Sequence, residues 1–224
     1  YGTKYEAVLQ SILYEISQIL PEDCIEQYSV DECFLDITPV APDYFKAAKL
    51  AWQIKKLIRD KEDLTASIGL SFNKSYAKMA TKFNKPDGLT VVREENRDMI
   101  YRKKKKKMWG IGHRMEIRMH SLGIRTIGEL AGSDFHAIHK EFGINGVILR
   151  KIARGEDTSG IASGDVQRVE RSFTHNHTLS TAIYQNDKAE MEIKRMTEYV
   201  CRRMRAKDLI ADHVGLSLRY EDLG

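Results

Sequence analysis

Two adjacent carboxylates interrupt an apolar, strand-like run in the amino-acid sequence. Asp31 and Glu32 stand between Val30 and Phe34 within residues 28–37. The two acids repel each other and resist even partial desolvation, unless a divalent cation lies between them. Because neighbours on a strand point to opposite faces, a shared cation requires the chain to bend at these residues. The pattern predicts divalent-metal chemistry at a tight connection between two short antiparallel strands; the alternative is an ordinary charged hairpin turn.

A lysine in a later turn has the chemistry to assist such a site. Residues 84–88 read Asn-Lys-Pro-Asp-Gly, with Pro and Gly where a type I turn places them. The turn fixes the backbone beside Lys85 and presents its side chain at the end of a strand. If a metal ion binds Asp31 and Glu32, the Lys85 ammonium would neutralise a triphosphate that bridges the metal. The alternative is that Lys85 is only a solvated turn residue.

A glycine-rich turn in the second half of the chain suggests a contact with nucleic acid. Gly110, Ile111 and Gly112 precede a predicted helix, as in the hairpin of a helix–hairpin–helix element. Glycines let the backbone approach a phosphate, and the N–H groups at a helix start point at it. Such a contact is independent of sequence and positions a duplex. With nine cations and a single acid in residues 102–125, the segment predicts binding to the DNA backbone.

Charge is distributed unevenly along the chain. Residues 1–100 hold 13 Lys and Arg against 16 Asp and Glu, so the totals of 36 and 32 leave 23 against 16 for the remainder. The acidic part contains the candidate metal site, and the basic part is suited to a polyanion. The run of six cations at 102–107 is interpreted as a solvated linker, which is compatible with a phosphate contact.

Length and composition set the class of protein. A chain of 224 residues that is 42% apolar can form one large domain or two to three small ones with packed cores. No apolar run approaches the ~18 residues of a membrane helix, and the first residues do not resemble a signal peptide, so we expect a soluble, cytoplasmic protein. Three cysteines without close spacing argue against a disulfide framework and a zinc ribbon.

Hydrophobic periodicity predicts an alternating α/β first part. Helices are predicted over about 5–20, where Pro21 ends the helix, and over 47–58. Strands are predicted at 65–71 and 89–92, with a helix between them that is capped by Asn73 and runs to about residue 83.

The second part of the chain is predicted to be helical and then mixed. Residues 126–129 form a capping box, residues 142–146 separate two helices, and Met115, Met119 and Leu122 form an apolar stripe. From about residue 165 the pattern predicts a β-α-β unit with strands at 168–178 and 213–220. Arginines of this unit, Arg168 and Arg171 among them, are candidates for phosphate contacts.

The ordered motifs resemble those of Y-family translesion DNA polymerases of the DinB/UmuC type, and most of all the bacterial UmuC/ImpB-like branch. Five motifs carry the resemblance over nearly the whole chain: Tyr-Ser-Val-Asp-Glu with Phe-Leu-Asp at 28–36, Gly-Leu-Ser-Phe-Asn-Lys at 69–74, Ala-Lys-Met-Ala at 77–80, Asn-Lys-Pro-Asp-Gly at 84–88 and Trp-Gly-Ile-Gly at 109–112.

The resemblance implies an α+β fold in three parts. Residues 1–100 would form a palm-type sheet with helices, followed by a basic linker at 101–107. Residues 108–162 would form a helical thumb with the helix–hairpin–helix, and residues 165–224 a partial β-α-β little finger.

The resemblance also implies template-directed nucleotidyl transfer in the bypass of DNA damage. Asp31 and Glu32 would be catalytic carboxylates that bind Mg²⁺, and Lys85 would contact the triphosphate of the incoming dNTP. The hairpin at Gly110, Ile111 and Gly112 would hold a strand of primer–template DNA, damaged or intact. A sliding clamp would be recruited through regions outside this chain.

Departures from the family pattern bear on the prediction of polymerase activity. Family members begin with a strand bearing another metal-binding Asp, followed by an aromatic steric gate and a fingers subdomain; no such segment precedes residue 1, and the little finger ends about halfway. We therefore expect a piece of a longer polypeptide or a truncated gene product that does not polymerise by itself. A non-catalytic DNA-binding module, marked by salt-sensitive and metal-independent binding, and a two-metal nuclease, marked by Mg²⁺-dependent cleavage without nucleotides, remain alternatives.

Overall fold

A computed structural model of the chain describes residues 2–105, 108–162 and 171–219. The chain divides into two compact units, Tyr1–Val166 and Gln167–Gly224. Both units contain helices, and the strands described lie in the first unit. The mixed α+β class predicted from the sequence is confirmed.

The first unit opens with two amphipathic helices that pack against each other, α1 (Gly2–Ser17) and α2 (Tyr44–Glu62). Asp43 caps α2 by accepting a hydrogen bond from the Lys46 N–H. The buried side chains that these helices share with the strands repeat at helical spacing: Ile16, Leu20, Ala47, Leu50, Ile54 and Ile58. Both helices occur where the periodicity predicts them.

Four short strands form two separate pairs within the described residues. Strands β1 (Ile25–Gln27) and β2 (Cys33–Leu35) form an antiparallel hairpin, with Ile25 opposite Leu35. Strands β3 (Ile68–Ser71) and β4 (Leu89–Val92) are parallel and are connected through α3 (Lys74–Ala80). Both β3 and α3 are shorter than predicted, since β3 begins only at residue 68 and α3 ends at residue 80.

The parallel pair lies between two hydrophobic cores. Leu70 of β3 faces the core formed with α1 and α2, whereas Val92 of β4 is buried in a second core. That second core joins α3 to the helices that follow, through Tyr76, Met79, Met119, Leu130 and Phe142 among others. The buried residues of α3 and α2 belong to different cores, so the two helices pack on opposite sides of this strand pair. The face of α3 that is not buried in the second core can therefore contact the β1–β2 hairpin.

Four further α-helices follow in the described residues of the first unit: α4 (Asp98–Tyr101), α5 (His113–Ser121), α6 (Ile127–Gly132) and α7 (Phe135–Ala153). The predicted capping box is present, because Thr126 and Glu129 each accept a hydrogen bond from the other's N–H. The predicted interruption is present too, since Gly143 bends α7 with a φ of +60°. The predicted stripe on α5 is only partly right: Met119 is buried, but Leu122 is 46% exposed.

The basic run at 102–107 is half packed. The Lys105 N–H donates to the Arg125 carbonyl and the Ile127 N–H donates to the Lys103 carbonyl, each at 3.0 Å. Lys105 is only 2% exposed, although the side chains of residues 102–104 are exposed. The prediction of a solvated linker is therefore wrong for the backbone of 103–105, which pairs with the start of α6; residues 106 and 107 lie outside the described part.

The second unit contains α8 (Asn186–Arg205), flanked by non-regular segments. The predicted strands at 168–178 and 213–220 do not form within the described residues 171–178 and 213–219. A strand needs a hydrogen-bonded neighbour, and the described residues provide these segments with none. In no part of the chain that the structure describes does a helix have the length and apolarity needed to cross a membrane.

Candidate functional site

The tip of the β1–β2 hairpin, residues 28–32, places the two acidic residues side by side in a closed turn. The N–H groups of Tyr28 and Ser29 both donate to the Glu32 carbonyl at 3.0 Å. Asp31 and Glu32 therefore lie outside the ladder, which confirms the predicted bend. Both are exposed, so the expectation that they are partly desolvated is wrong. A turn projects them into water, where no burial penalty arises.

Each tip carboxylate has one side-chain hydrogen-bond partner among the described residues. Ser29 Oγ donates to Asp31 Oδ1 at 2.6 Å, a bond within the tip itself. Lys78 Nζ, from α3, donates to Glu32 Oε2 at 2.8 Å. The Glu32 side chain is 45% exposed and the Lys78 side chain only 13%, so the carboxylate is accessible while the ammonium is not.

Three aromatic rings enclose the ammonium of Lys78. Its Nζ lies 4.1 Å from the ring centroid of Tyr28, 5.7 Å from that of Trp109 and 5.9 Å from that of Phe34. Tyr28 meets both other rings edge to face, at 5.3 and 5.7 Å. We call Tyr28, Phe34 and Trp109 the aromatic cage. It brings the residue that precedes the Gly110–Gly112 turn into contact with the hairpin.

Sequence reasoning missed Lys78, although the residue stands in one of the quoted motifs. Lys74 and Lys78 are four residues apart and therefore share one face of α3, as Glu26 and Glu32 share one hairpin. Lys74 Nζ donates to Glu26 Oε2 at 2.6 Å, and Glu26 is 4% exposed. The Ala162 N–H also donates to Glu26 Oε2, at 2.8 Å. The signal available in the sequence was a pair of lysines four residues apart on the predicted helix, together with two acids in the hairpin segment.

The tip carboxylates fit a partial Mg²⁺ site. Mg²⁺ prefers oxygen ligands and is usually held by one or two carboxylates, with water and substrate phosphates completing its shell. Among the described residues no third His, Cys, Asp or Glu joins the pair. The adjacent Cys33 does not suit Mg²⁺, which prefers oxygen ligands. Burial first and the charge of Glu32 second raise the pKa of its thiol to about 11.

Lys85 is exposed in the turn at 84–88, and no hydrogen bond or ion pair among the described residues connects it to Asp31 or Glu32. The structure therefore does not bring this predicted site residue into direct contact with the carboxylates. The predicted type I geometry is wrong, because Asp87 has a φ of +55° where a type I turn requires a negative φ.

A buried lysine explains the conformation of this turn. Lys55 Nζ donates to the Asp87 carbonyl at 2.6 Å, to the Ala66 carbonyl at 2.7 Å and to the Asp87 carboxylate. Arg59 adds a bond of 3.3 Å to the other carboxylate oxygen. The hydrogen bond from Lys55 is the main cause that lowers the pKa of Asp87. Lys55 comes from α2, so the sequence around the turn contains no sign of it.

The glycine turn at 110–112 leads directly into α5. Gly110 has a φ of +88°, and a Cβ there would lie 3.1 Å from Leu149 Cδ2. Gly112 is the N-cap residue of α5 and has open space around it. Residues 122–126 join α5 to α6 directly, and Gly123 in this turn has a φ of +77°. Of the predicted arginines, Arg171 is exposed and Arg168 lies outside the described residues.

Comparison with known proteins places these features in context. The impB/mucB/samB family matches residues 2–82, and the impB/mucB/samB family C-terminal domain matches residues 170–224. DNA polymerase IV of Moorella thermoacetica is 35% identical over 87% of this chain and 49% of its own length. That of Bacteroides fragilis is 30% identical over 96% of this chain and 59% of its own length.

Solved structures agree with these matches. DinB from Sulfolobus solfataricus aligns with a TM-score of 0.66 and 27% identity, over 73% of this chain and 48% of its own. An insertion ternary complex of Dbh DNA polymerase aligns with a TM-score of 0.66 and 26% identity, over 72% and 47%. The chain thus spans about half the length of the curated relatives it matches.

Proposed function

The chain belongs to the impB/mucB/samB family of Y-family polymerases, and we propose that it supplies the palm, thumb and part of the little finger of a translesion DNA polymerase. In this proposal the palm spans residues 1–100, the linker 101–107, the thumb 108–162 and the little finger 165–224. The reaction is template-directed nucleotidyl transfer past damaged DNA, in the cytoplasm.

Asp31 and Glu32 would hold Mg²⁺ at the hairpin tip. In a two-Mg²⁺ mechanism, one ion would lower the pKa of a primer 3′-hydroxyl and the other would hold the triphosphate as pyrophosphate leaves. The chain's own contribution is positional: Ser29 fixes Asp31 through the bond of 2.6 Å, and the closed turn fixes the backbone of both acids. Lys85 would neutralise the triphosphate of the incoming dNTP from the braced turn at 84–88.

The second half of the chain would hold the primer–template duplex. Gly110, Ile111 and Gly112 lead into α5, where Gly112 leaves the helix start open to a phosphate. Arg168 and Arg171 would add contacts from the little finger. Structures of Dbh DNA polymerase as ternary complexes support DNA and a nucleotide as the partners. A sliding clamp would be recruited through residues outside this chain.

The observation that carries the proposal is the exposed pair of carboxylates at a closed hairpin tip. Primer extension on a recessed duplex with Mg²⁺ and four dNTPs tests it, using this chain, a form extended upstream to the first in-frame start, and Asp31→Ala in that form. We expect extension only by the longer form, abolished by Asp31→Ala. Equal activity of the longer form and its Asp31→Ala variant would contradict the assignment.

A non-catalytic DNA-binding module is the second candidate, favoured by the excess of 23 cations over 16 acids in residues 101–224. Counterion release would give such a module an affinity that falls steeply with salt and needs no metal. Inactivity of every form in primer extension, with salt-sensitive binding to labelled duplex retained, would favour this function over polymerisation.

A further inference from the structure

We propose that Lys78 acts as a built-in counter-cation of Glu32, which weakens binding of a divalent metal at the hairpin tip until the negative charge of a triphosphate is present. The inference rests on the proposed metal site. It makes Lys78 a positioning residue, since its ammonium contacts a metal-binding carboxylate and not the substrate.

The geometry keeps Lys78 at the tip whether or not it is paired with Glu32. Its side chain is 13% exposed, and the rings of Tyr28 and Trp109 lie 4.1 and 5.7 Å from Nζ. An ammonium beside aromatic faces is stabilised by cation–π attraction independently of any carboxylate. A metal ion that takes Glu32 therefore leaves the positive charge of Lys78 next to its own site.

Electrostatics then sets the direction of the effect. The ion pair with Glu32 is itself weak, because the carboxylate is 45% exposed and water screens it. The metal can therefore displace the ammonium, but two like charges remain close together, which lowers the affinity for the metal alone. A triphosphate adds several negative charges to the same place and removes this disadvantage. Metal binding is thereby coupled to nucleotide binding.

The neighbouring lysine on α3 does not share this role. Lys74 Nζ lies 4.9 Å from the Phe34 ring, but its carboxylate partner is the buried Glu26, together with the Gly160 carbonyl at 3.1 Å. That cation compensates an acid inside the fold. Of these two lysines, Lys78 is the one whose acid partner is open to a ligand.

The test measures binding of Mn²⁺ alone to this chain, by the electron paramagnetic resonance of the free ion and without nucleotide. The variants are Lys78→Met, which removes the charge, and Lys78→Arg, which retains it. Lys49→Met, at an exposed position of α2, removes a charge elsewhere. We expect Lys78→Met to bind Mn²⁺ about three- to tenfold more tightly than the unaltered chain. Lys78→Arg and Lys49→Met should stay within about twofold of the unaltered chain, since neither changes the charge beside Glu32.

The role of Lys78 and the metal site itself are contradicted by different results. Equal or weaker Mn²⁺ binding by Lys78→Met, with binding still lost in Glu32→Gln, would overturn the role of Lys78 and leave the metal site standing. Absence of any binding that depends on Glu32 would overturn the metal site and the inference together.

A second measurement needs no change at Lys78 itself. In a Trp52→Phe chain, Trp109 is the sole tryptophan. When Mg²⁺ separates Glu32 from Lys78, the fluorescence emission of Trp109 should change along a saturating curve as Mg²⁺ is added. Glu32→Gln should abolish that change. Emission that does not respond to Mg²⁺, in a chain shown to bind Mn²⁺ through Glu32, would contradict the displacement of Lys78.

Discussion

Two turns of the first unit each combine an acid with a lysine from a helix, yet they differ in how tightly they are held. At the hairpin tip, Glu32 is open to solvent and Lys78 is its one ion-pair partner described. In the turn at 84–88, Asp87 is held by two cations, and Lys55 binds its carbonyl as well as its carboxylate. Among the described contacts, Glu32 has a cation at one carboxylate oxygen, whereas each carboxylate oxygen of Asp87 faces a cation.

The difference shows how a structural acid is told from a functional one. Lys55 has 4% of its side chain exposed and connects α2 to the start of β3 and to the turn. Its removal disturbs three segments of backbone. Within the described part of the chain, the side-chain hydrogen bonds of the tip acids join only the hairpin and α3. We therefore expect substitutions at the tip to affect chemistry, and those around Asp87 to affect stability.

The largest expected effect is on catalysis. In the polypeptide extended upstream, Glu32→Gln should lower the rate of nucleotide addition by about 10²–10³-fold, the scale of other preorganised electrostatic groups. Asp87→Asn should lower the rate much less, because it affects the reaction only through the position of Lys85. Single-turnover primer extension measures both, and an equal loss in the two variants would remove the distinction between the turns.

Backbone packing should give the largest effect on stability. A Cβ at Gly88 would lie 1.8 Å from the Asn84 carbonyl oxygen, so Gly88→Ala must distort the turn. We expect a loss of about 2–3 kcal/mol in the free energy of unfolding, measured with urea. Gly132→Ala, with open space around it, is the matched control and should stay within about 0.5 kcal/mol. A tolerated Gly88→Ala would show that the turn is not rigid.

Removal of Lys55 should lower the free energy of unfolding more than removal of Lys78. Lys55→Met leaves the carbonyls of Ala66 and Asp87 without their donor and should lower the free energy of unfolding by about 1–3 kcal/mol. Lys78→Met removes an ion pair whose carboxylate is 45% exposed, and some cation–π attraction, so a loss of up to about 1 kcal/mol is expected. Urea titration of both variants at neutral pH decides this, and the reverse order would contradict the account.

The smallest expected effect is on the acid dependence of stability. The folded-state pKa of Asp87 lies below its unfolded value, chiefly because of the hydrogen bond from Lys55. The stabilisation is therefore present above the unfolded pKa near 3.8 and is lost as pH falls through the folded value. The urea midpoint of Asp87→Asn should fall less between pH 5 and pH 3 than that of the unaltered chain. If the urea midpoints of the two chains fall equally between pH 5 and pH 3, Asp87 does not contribute to the acid dependence of stability.

Local patterns predicted much of this arrangement. The helices α1 and α2, the caps at Asn73 and Thr126, and the bend at Asp31 and Glu32 all depend on residues close in sequence. The same holds for the interruption at Gly143.

What the sequence did not reveal depends on partners far along the chain. Lys78 lies 46 residues from Glu32 and Lys55 lies 32 from Asp87. The backbone of 103–105 pairs with 125–127. The charged side chains of this segment predicted a solvated linker instead. The strands expected at 168–178 and 213–220 do not form in the part of these ranges that the structure describes, since alternation along a segment does not supply the neighbour that a strand requires.

The most direct test of the central claim locates the metal on the chain itself. Fe²⁺ in place of Mg²⁺, with ascorbate and peroxide, generates hydroxyl radicals that cut the backbone beside the bound ion, and mass spectrometry identifies the cuts. The account predicts cleavage within and beside residues 28–32, suppressed by excess Mg²⁺ and lost in the double variant Asp31→Ala, Glu32→Gln. Cleavage elsewhere, or cleavage at the tip that survives the double variant, would contradict a metal site formed by these two carboxylates.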